Sequence, residues 1–228
     1  MIPKIIWQTY ETPYEELSDR IKSYTSSWSR INPEHDYRYF DAQAREKFVL
    51  EHFGQEWHDL FVSLPLGVMR ADIWRCMAVY VYGGVYVDLD TMCYSQIENW
   101  IPSDSTFAIF PENFRTGMPQ HGEHYATYMI AATPNNKILK NVINLMFERL
   151  QTPDYSFEHF VHYLTGPTMV TQVILETLNE EPQPGFIMLE HIDTYKYNSM
   201  DHVYASQRWK EDHVSWIDQR VEELDRNQ

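Results

Sequence analysis

The sequence predicts an α/β fold, on three observations. Short runs of branched and aromatic residues alternate with longer runs of helical periodicity. Glycine and proline fall between these runs or at their ends. The length of 228 residues suits one substantial core, with no internal repeat, low-complexity tract or linker to divide it, so residues 1–228 are expected to form a single domain.

The elements follow in order. Ile2 to Thr9 reads as an opening buried strand, with Pro3 near its start, where a missing N–H is harmless. Tyr14 to Arg30 places Leu17, Ile21, Tyr24 and Trp28 at helical spacing, and Asn32-Pro33 stops that helix. A short strand is expected at Tyr37–Phe40. Asp41 then serves as the N-cap of a helix to about His52, and a shorter helix covers Gln55 to Leu64. Pro65-Leu66-Gly67 punctuates before the central helix. Strands are expected at Thr106–Phe110 and Tyr125–Thr133, with a loop from Pro111 to Glu123 between them. Pro134-Asn135-Asn136 opens a helix from Lys137 to Leu150. Thr165-Gly166-Pro167 forms a tight turn with proline at the first helical position of Thr168–Leu178. Gly185–Glu190 reads as a late strand, and the acidic C-terminus as an amphipathic helix carrying Ile217, Val221 and Leu224.

The chemistry concentrates between Met69 and Cys93, MRADIWRCMAVYVYGGVYVDLDTMC. Met69, Ile73, Cys76, Met77 and Tyr80 define one buried helical stripe, and Asp72 and Arg75 stand three apart on its flank. Gly83-Gly84 ends the helix, Val85-Tyr86-Val87 follows as a strand, and Asp88-Leu89-Asp90 closes it. Strand alternation would put both carboxylates on one face, where they repel unless a cation lies between them. A hard divalent ion, Mg²⁺ or Mn²⁺, suits such oxygen ligands and shares them readily with phosphates. An Asp-x-Asp alone is common on solvated turns; its weight here comes from the whole assembly of helix, Gly-Gly, apolar strand and acids.

That assembly resembles the sugar-binding region of DXD-containing glycosyltransferases (family 32): the initiating mannosyltransferases, the capsular polysaccharide transferases and the related clostridial glucosylating toxins. Asp72, Arg75, Gly83, Gly84, Tyr86, Asp88 and Asp90 stand in the order of the family pattern. The resemblance implies a GT-A type, Rossmann-like nucleotide-sugar-binding domain with a mixed central sheet flanked by helices. It also implies a metal-dependent, retaining transfer of sugar from a UDP- or GDP-sugar to an acceptor hydroxyl of a glycan or glycoconjugate. On this basis Asp88 and Asp90 would bind Mn²⁺ or Mg²⁺, with His202 as a late histidine ligand. Asp72 and Arg75 would hold donor sugar hydroxyls and count with the two acids as catalytic. Gln8, Thr9, Tyr86 and Asp88 would contact the donor, and Trp209 would close over its phosphates. His202–Trp209 resembles the family's late histidine–serine–tryptophan element, and His213–Trp216 is a rival placement. The first strand has Trp7 where the family has histidine and Tyr10 near its usual tryptophan.

Composition narrows the partners. A net charge of −15 argues against nucleic acid, whose backbone needs a basic footprint. No apolar run is long enough to span a bilayer, and no signal-peptide pattern opens the chain. The two cysteines, Cys76 and Cys93, read as unpaired, so a reducing cytoplasm is the expected location. Two other functions share some of these features. Val85 to Thr91 also matches the DxDxT start of haloacid-dehalogenase phosphatases, with Asp88 as nucleophile and Asp90 as general acid. Those enzymes need a second acidic cluster, which the sequence lacks. The other is a non-catalytic nucleotide-sugar-binding module, against which the retention of Asp72 and Arg75 speaks.

Overall fold

The computed structural model describes residues 1–112, 124–156, 159–189 and 198–200. Its main sheet is mixed and six-stranded. β1 (Ile5–Thr9) lies between parallel neighbours β2 (Asp36–Phe40) and β3 (Gly84–Val87). Beyond β3 come antiparallel β6 (His124–Ala132) and β5 (Phe107–Glu112), and then β7 (Phe186–Met188), parallel to β5. The order is therefore β2-β1-β3-β6-β5-β7. A two-stranded antiparallel ribbon of β4 (Thr91–Cys93) and β8 (Asn198–Met200) follows the acidic segment.

Helices cover both faces. α3 (Gly67–Tyr82), α4 (Lys137–Gln151) and α6 (Pro167–Glu180) share a core with Trp7, Tyr86, Phe107 and Ile130. On the opposite face, Trp28 of α1 (Asp19–Ile31) packs with Ile6, Val85 and Val87. The even and odd residues of β1 thus serve two cores, as strand alternation requires. α3 buries far more than the expected stripe: Trp74, Ala78 and Val79 join Met69, Ile73, Cys76 and Met77, as suits a helix enclosed on most sides.

Several expectations are refined. α1 starts at Asp19 rather than Tyr14, because Ser18 caps it by accepting from the Ile21 N–H at 3.3 Å, while Tyr14–Glu16 forms a separate 3₁₀ turn. Asp41 caps α2 (Ala42–Ser63) as expected. The two helices expected there are continuous except at Gly54, whose φ of 83° kinks them. β5 runs through Pro111 and Glu112, which the sequence placed in a loop. The short helix α5 (Phe160–Leu164) and the β4–β8 ribbon were not expected; three-residue strands and single-turn helices carry too little periodicity to read. The expected C-terminal helix lies outside the described residues. No described helix is long and apolar enough to cross a membrane.

Candidate functional site

The site is built on the corner between α3 and β3. Gly83 and Gly84 both take positive φ, 69° and 102°, which lets the chain reverse without a Cβ penalty. A Cβ at Gly84 would stand 2.6 Å from the Ile5 carbonyl oxygen, so β1 and β3 approach closely here only because glycine intervenes. Trp7 fastens the same corner: its indole N–H donates to the Gly83 carbonyl at 2.8 Å, and its ring is fully buried. The tryptophan that replaces the family's histidine is therefore a packing and anchoring residue.

The acidic segment departs from the expected geometry. β3 ends at Val87, and Asp88-Leu89-Asp90 forms a turn rather than one face of a strand. The Asp88 N–H donates to the Tyr128 carbonyl at 2.8 Å. The Asp88 carbonyl accepts three bonds, from Thr91 N–H (3.2 Å), Thr91 Oγ1 (2.6 Å) and Gln8 Nε2 (3.1 Å). Leu89 buries itself beside Leu17 and Ile21, and Trp28 steadies Thr91 by donating to its carbonyl at 3.0 Å. A turn held by its backbone from three directions leaves its carboxylates in a set position.

Side chains then link α3 to this turn. Arg75 Nη1 lies 3.2 Å from Asp72 Oδ1, and Nη2 lies 3.1 Å from Asp88 Oδ1. Nη1 also donates to the Thr127 carbonyl (2.9 Å) and to its hydroxyl oxygen (3.0 Å). The guanidinium sits 4.8 Å from the Tyr86 ring centroid, while the Tyr86 hydroxyl donates to Asp88 Oδ1 at 2.6 Å. Thr165 completes the chain by donating to Asp72 Oδ2 at 3.0 Å. Asp72 and Arg75 are each only 5 % exposed, so they are not an ordinary ion pair on a solvated face. The Thr-Gly-Pro turn is both a helix start, with Pro167 first in α6, and a contact to this network.

One cation thus serves two carboxylates, and the protonation equilibria reflect it. Burial pushes the Asp72 carboxyl up to about 7, against the opposing pull of Arg75 and the Thr165 hydrogen bond. Burial disfavours the Arg75 cation, but Asp88, Tyr86 and Asp72 more than compensate and raise it above its ordinary value. Burial also raises the Tyr86 phenol well above its ordinary value.

The expected site residues fall into groups. Asp72, Arg75, Tyr86 and Asp88 meet directly, and Asp90 follows half-buried in the same turn. Gln8 is fully buried and reaches the site through the Asp88 carbonyl, while its Oε1 accepts from the Tyr37 hydroxyl at 2.8 Å. Thr9 donates to the Phe40 carbonyl at 2.6 Å. His202 and Trp209 lie outside the described residues. Sequence reasoning missed the roles of Thr127, Thr165 and Trp28, whose contacts to the site come from distant segments, and of Thr91, which closes the turn locally. Among the described residues, no three His, Cys, Asp or Glu side chains converge as a complete metal cage or as the second acidic cluster of a phosphatase. Two carboxylates in one turn do fit a hard cation that takes its other ligands from a diphosphate and water.

Comparison with known proteins agrees with this geometry. Residues 18–107 match the family described as glycosyltransferase sugar-binding region containing DXD motif. The initiation-specific alpha-1,6-mannosyltransferase of Schizosaccharomyces pombe is 26 % identical over 202 residues, covering 80 % of this chain and 50 % of that protein. The chain thus spans about half the length of that curated relative. In structure, the PaToxG glycosyltransferase superposes with a TM-score of 0.54 at 19 % identity, covering 78 % of this chain and 70 % of that one. The UDP-bound glycosyltransferase domain of the YGT toxin also superposes at 0.54, with 11 % identity, covering 94 % and 86 %. The fold is the GT-A fold of glycosyltransferase domains.

Proposed function

We propose that the chain, working as one domain, transfers a sugar from a nucleoside diphosphate donor to a hydroxyl of a glycan or glycoconjugate, a reading supported by the match of residues 18–107 to the DXD-containing glycosyltransferase sugar-binding region. The observation that carries this reading is the Arg75 bridge, which joins the α3 acid Asp72 to the acidic turn at Asp88. A sugar whose leaving group lies at the turn would have its hydroxyls within the reach of α3.

In this reading Asp88 and Asp90 would hold Mn²⁺ or Mg²⁺, which would supply charge neutralisation for a departing diphosphate. Asp72 accepts hydrogen bonds from donor hydroxyls once ionised. Arg75 keeps Asp72 and Asp88 in register. Tyr86 directs one Asp88 oxygen inward through its hydroxyl, which leaves the other for the ion. Gln8 acts on the donor indirectly, by fixing the Asp88 backbone. Transfer with retention then follows from attack on the leaving-group face. The similarity to mannosyltransferases puts mannose among the sugars to be assayed, and both UDP and GDP belong in the assay as carriers. The test is release of nucleoside diphosphate from a panel of UDP- and GDP-sugars with Mn²⁺. Release from at least one of them supports the reading; phosphate release from simple phosphomonoesters, with none from any nucleotide sugar, would replace it by the phosphatase reading.

A further inference from the structure

Across the sheet from α3, at its β2 edge, a cavity of about 510 Å³ opens between α1 and β2. Its size falls within the range of small-ligand sites. Tyr37 and Tyr39 line it from the strand, and Tyr14 joins them from the loop after β1. All three are half-buried, so their rings remain accessible. α1 contributes Thr25, Ser26 and Ser29. Beside the Ile21 and Trp28 stripe that packs α1 down, the helix turns these hydroxyls toward the cavity.

Those hydroxyls are oriented. Thr25, Ser26 and Ser29 donate their protons back to the carbonyls of Lys22 (3.0 Å), Ser23 (3.2 Å) and Ser26 (3.3 Å). The Ser26 and Ser29 oxygens therefore keep lone pairs that accept from a ligand hydroxyl, whereas the fully buried Thr25 oxygen already pairs with the Tyr14 hydroxyl at 3.3 Å. The charged residues on the rim are Glu15 and Asp41, also acceptors, and none of the described residues lining the cavity is basic. A phosphate or nucleotide finds no counter-charge, whereas a neutral polyol finds acceptors for its hydroxyls and aromatic rings for its apolar face.

The same walls seat the acidic turn. The Tyr37 hydroxyl donates to Gln8, whose amide donates to the Asp88 carbonyl. Tyr14 and Tyr39 pack edge to face at 5.4 Å in the cluster that encloses Leu89, the middle residue of the turn. We propose that this cavity binds one neutral saccharide unit of the acceptor glycan; the proposal rests on the transferase reading above and extends it to a subsite on the opposite face of the sheet.

The test uses the full chain and mannotriose as probe, observed by saturation-transfer NMR, beside nucleotide-sugar hydrolysis on the same samples. Two filled variants, Ser26→Phe and Ser29→Phe, block the cavity from a helix surface, and their melting curves verify folding. The expected result is a mannotriose signal in the wild type that falls at least fivefold in both variants, with hydrolysis unchanged. Equal signals in all three proteins, or no signal beside active hydrolysis, would overturn the subsite while leaving the transferase reading intact. A uridine monophosphate signal lost in the filled variants would overturn the neutral-saccharide assignment. A cavity-dependent mannotriose signal without hydrolysis of any nucleotide sugar would uphold the saccharide site and remove the transferase reading.

Discussion

Arg75 lies 3.2 Å from Asp72 and 3.1 Å from Asp88, so one buried guanidinium joins the helix acid to the acidic turn. Removing it would leave two carboxylates facing each other without a cation, and breaking a buried pair from one side costs about 3–5 kcal/mol. Arg75→Ala is therefore expected to lower the melting temperature sharply. Arg75→Lys is the informative variant: lysine keeps the charge but cannot reach Asp72, Asp88 and Thr127 in one planar fork. It should fold and lose about one to two decades of catalytic efficiency. The bridge also means that metal-dependent binding of bare diphosphate should weaken in this variant, because Asp88 loses its partner. Unchanged diphosphate affinity would confine Arg75 to sugar recognition.

Asp72 should respond to pH in an unusual sense. Its carboxyl is held up to about 7 in the folded chain by burial, above the ordinary carboxylate value of 3.8. The unfolded chain releases this proton first, so the folded state binds more protons between those two values. Stability attributable to Asp72 is thus fully present below about 4, falls as pH rises toward 7, and is level above it. Asp72→Asn removes this slope while keeping a group that can accept from Thr165. The melting temperature of the variant, relative to wild type, should accordingly rise from pH 4.5 to pH 7.5 in metal-free buffer. A flat difference would mean that the acid is ionised throughout this range. Activity should fall in the variant, because an amide accepts sugar hydroxyls less strongly than a carboxylate.

Gln8 provides a test of indirect positioning. Gln8→Leu leaves the Tyr37 hydroxyl without its acceptor and removes one of three bonds to the Asp88 carbonyl. The cost should be about 1–3 kcal/mol of stability. Metal-dependent diphosphate binding should weaken as the turn loosens, and calorimetry of the variant against wild type measures it. Tyr37→Phe, which keeps Gln8 in place, should show a smaller effect. Equal losses in the two would detach the relay from the turn.

Gly84→Ala probes the corner beneath the site. At φ 102°, with the Ile5 carbonyl oxygen 2.6 Å from the new Cβ, alanine must displace β1 or β3. Backbone strain of this kind costs on the order of 1–3 kcal/mol before any clash is counted. Chemical denaturation should register at least that loss, and Gly54→Ala, where a Cβ meets nothing within 4 Å, provides a control with positive φ but open space.

Much of the site was legible because one contiguous stretch carries it. The spacing of Asp72 and Arg75, the glycine pair and the two acids are all local signals. Their partners are not: Thr165 reaches Asp72 across 93 positions and Thr127 reaches Arg75 across 52. Nothing in local periodicity marks a threonine as the neighbour of a distant acid. The turn at Asp88 was misread as strand because alternation of side chains reveals nothing about where pairing stops; here the Thr91 N–H bond to the Asp88 carbonyl ends it. In the fold, the long helices and the strands of the main sheet followed from period and punctuation. The antiparallel placement of β6 between β3 and β5 did not, because strand order is decided by contacts between distant segments.

In the proposed function the acidic turn is the place where a divalent ion would meet the donor diphosphate. Calorimetry of UDP and GDP binding, with and without Mn²⁺, on wild type and Asp90→Ala tests it directly. Wild type should bind one of the two nucleotides tightly only with Mn²⁺, and Asp90→Ala should lose that dependence and the affinity it brings, its melting curve being recorded to verify folding. Equal Mn²⁺-dependent affinity in the two proteins would contradict the assignment of the turn as the metal site.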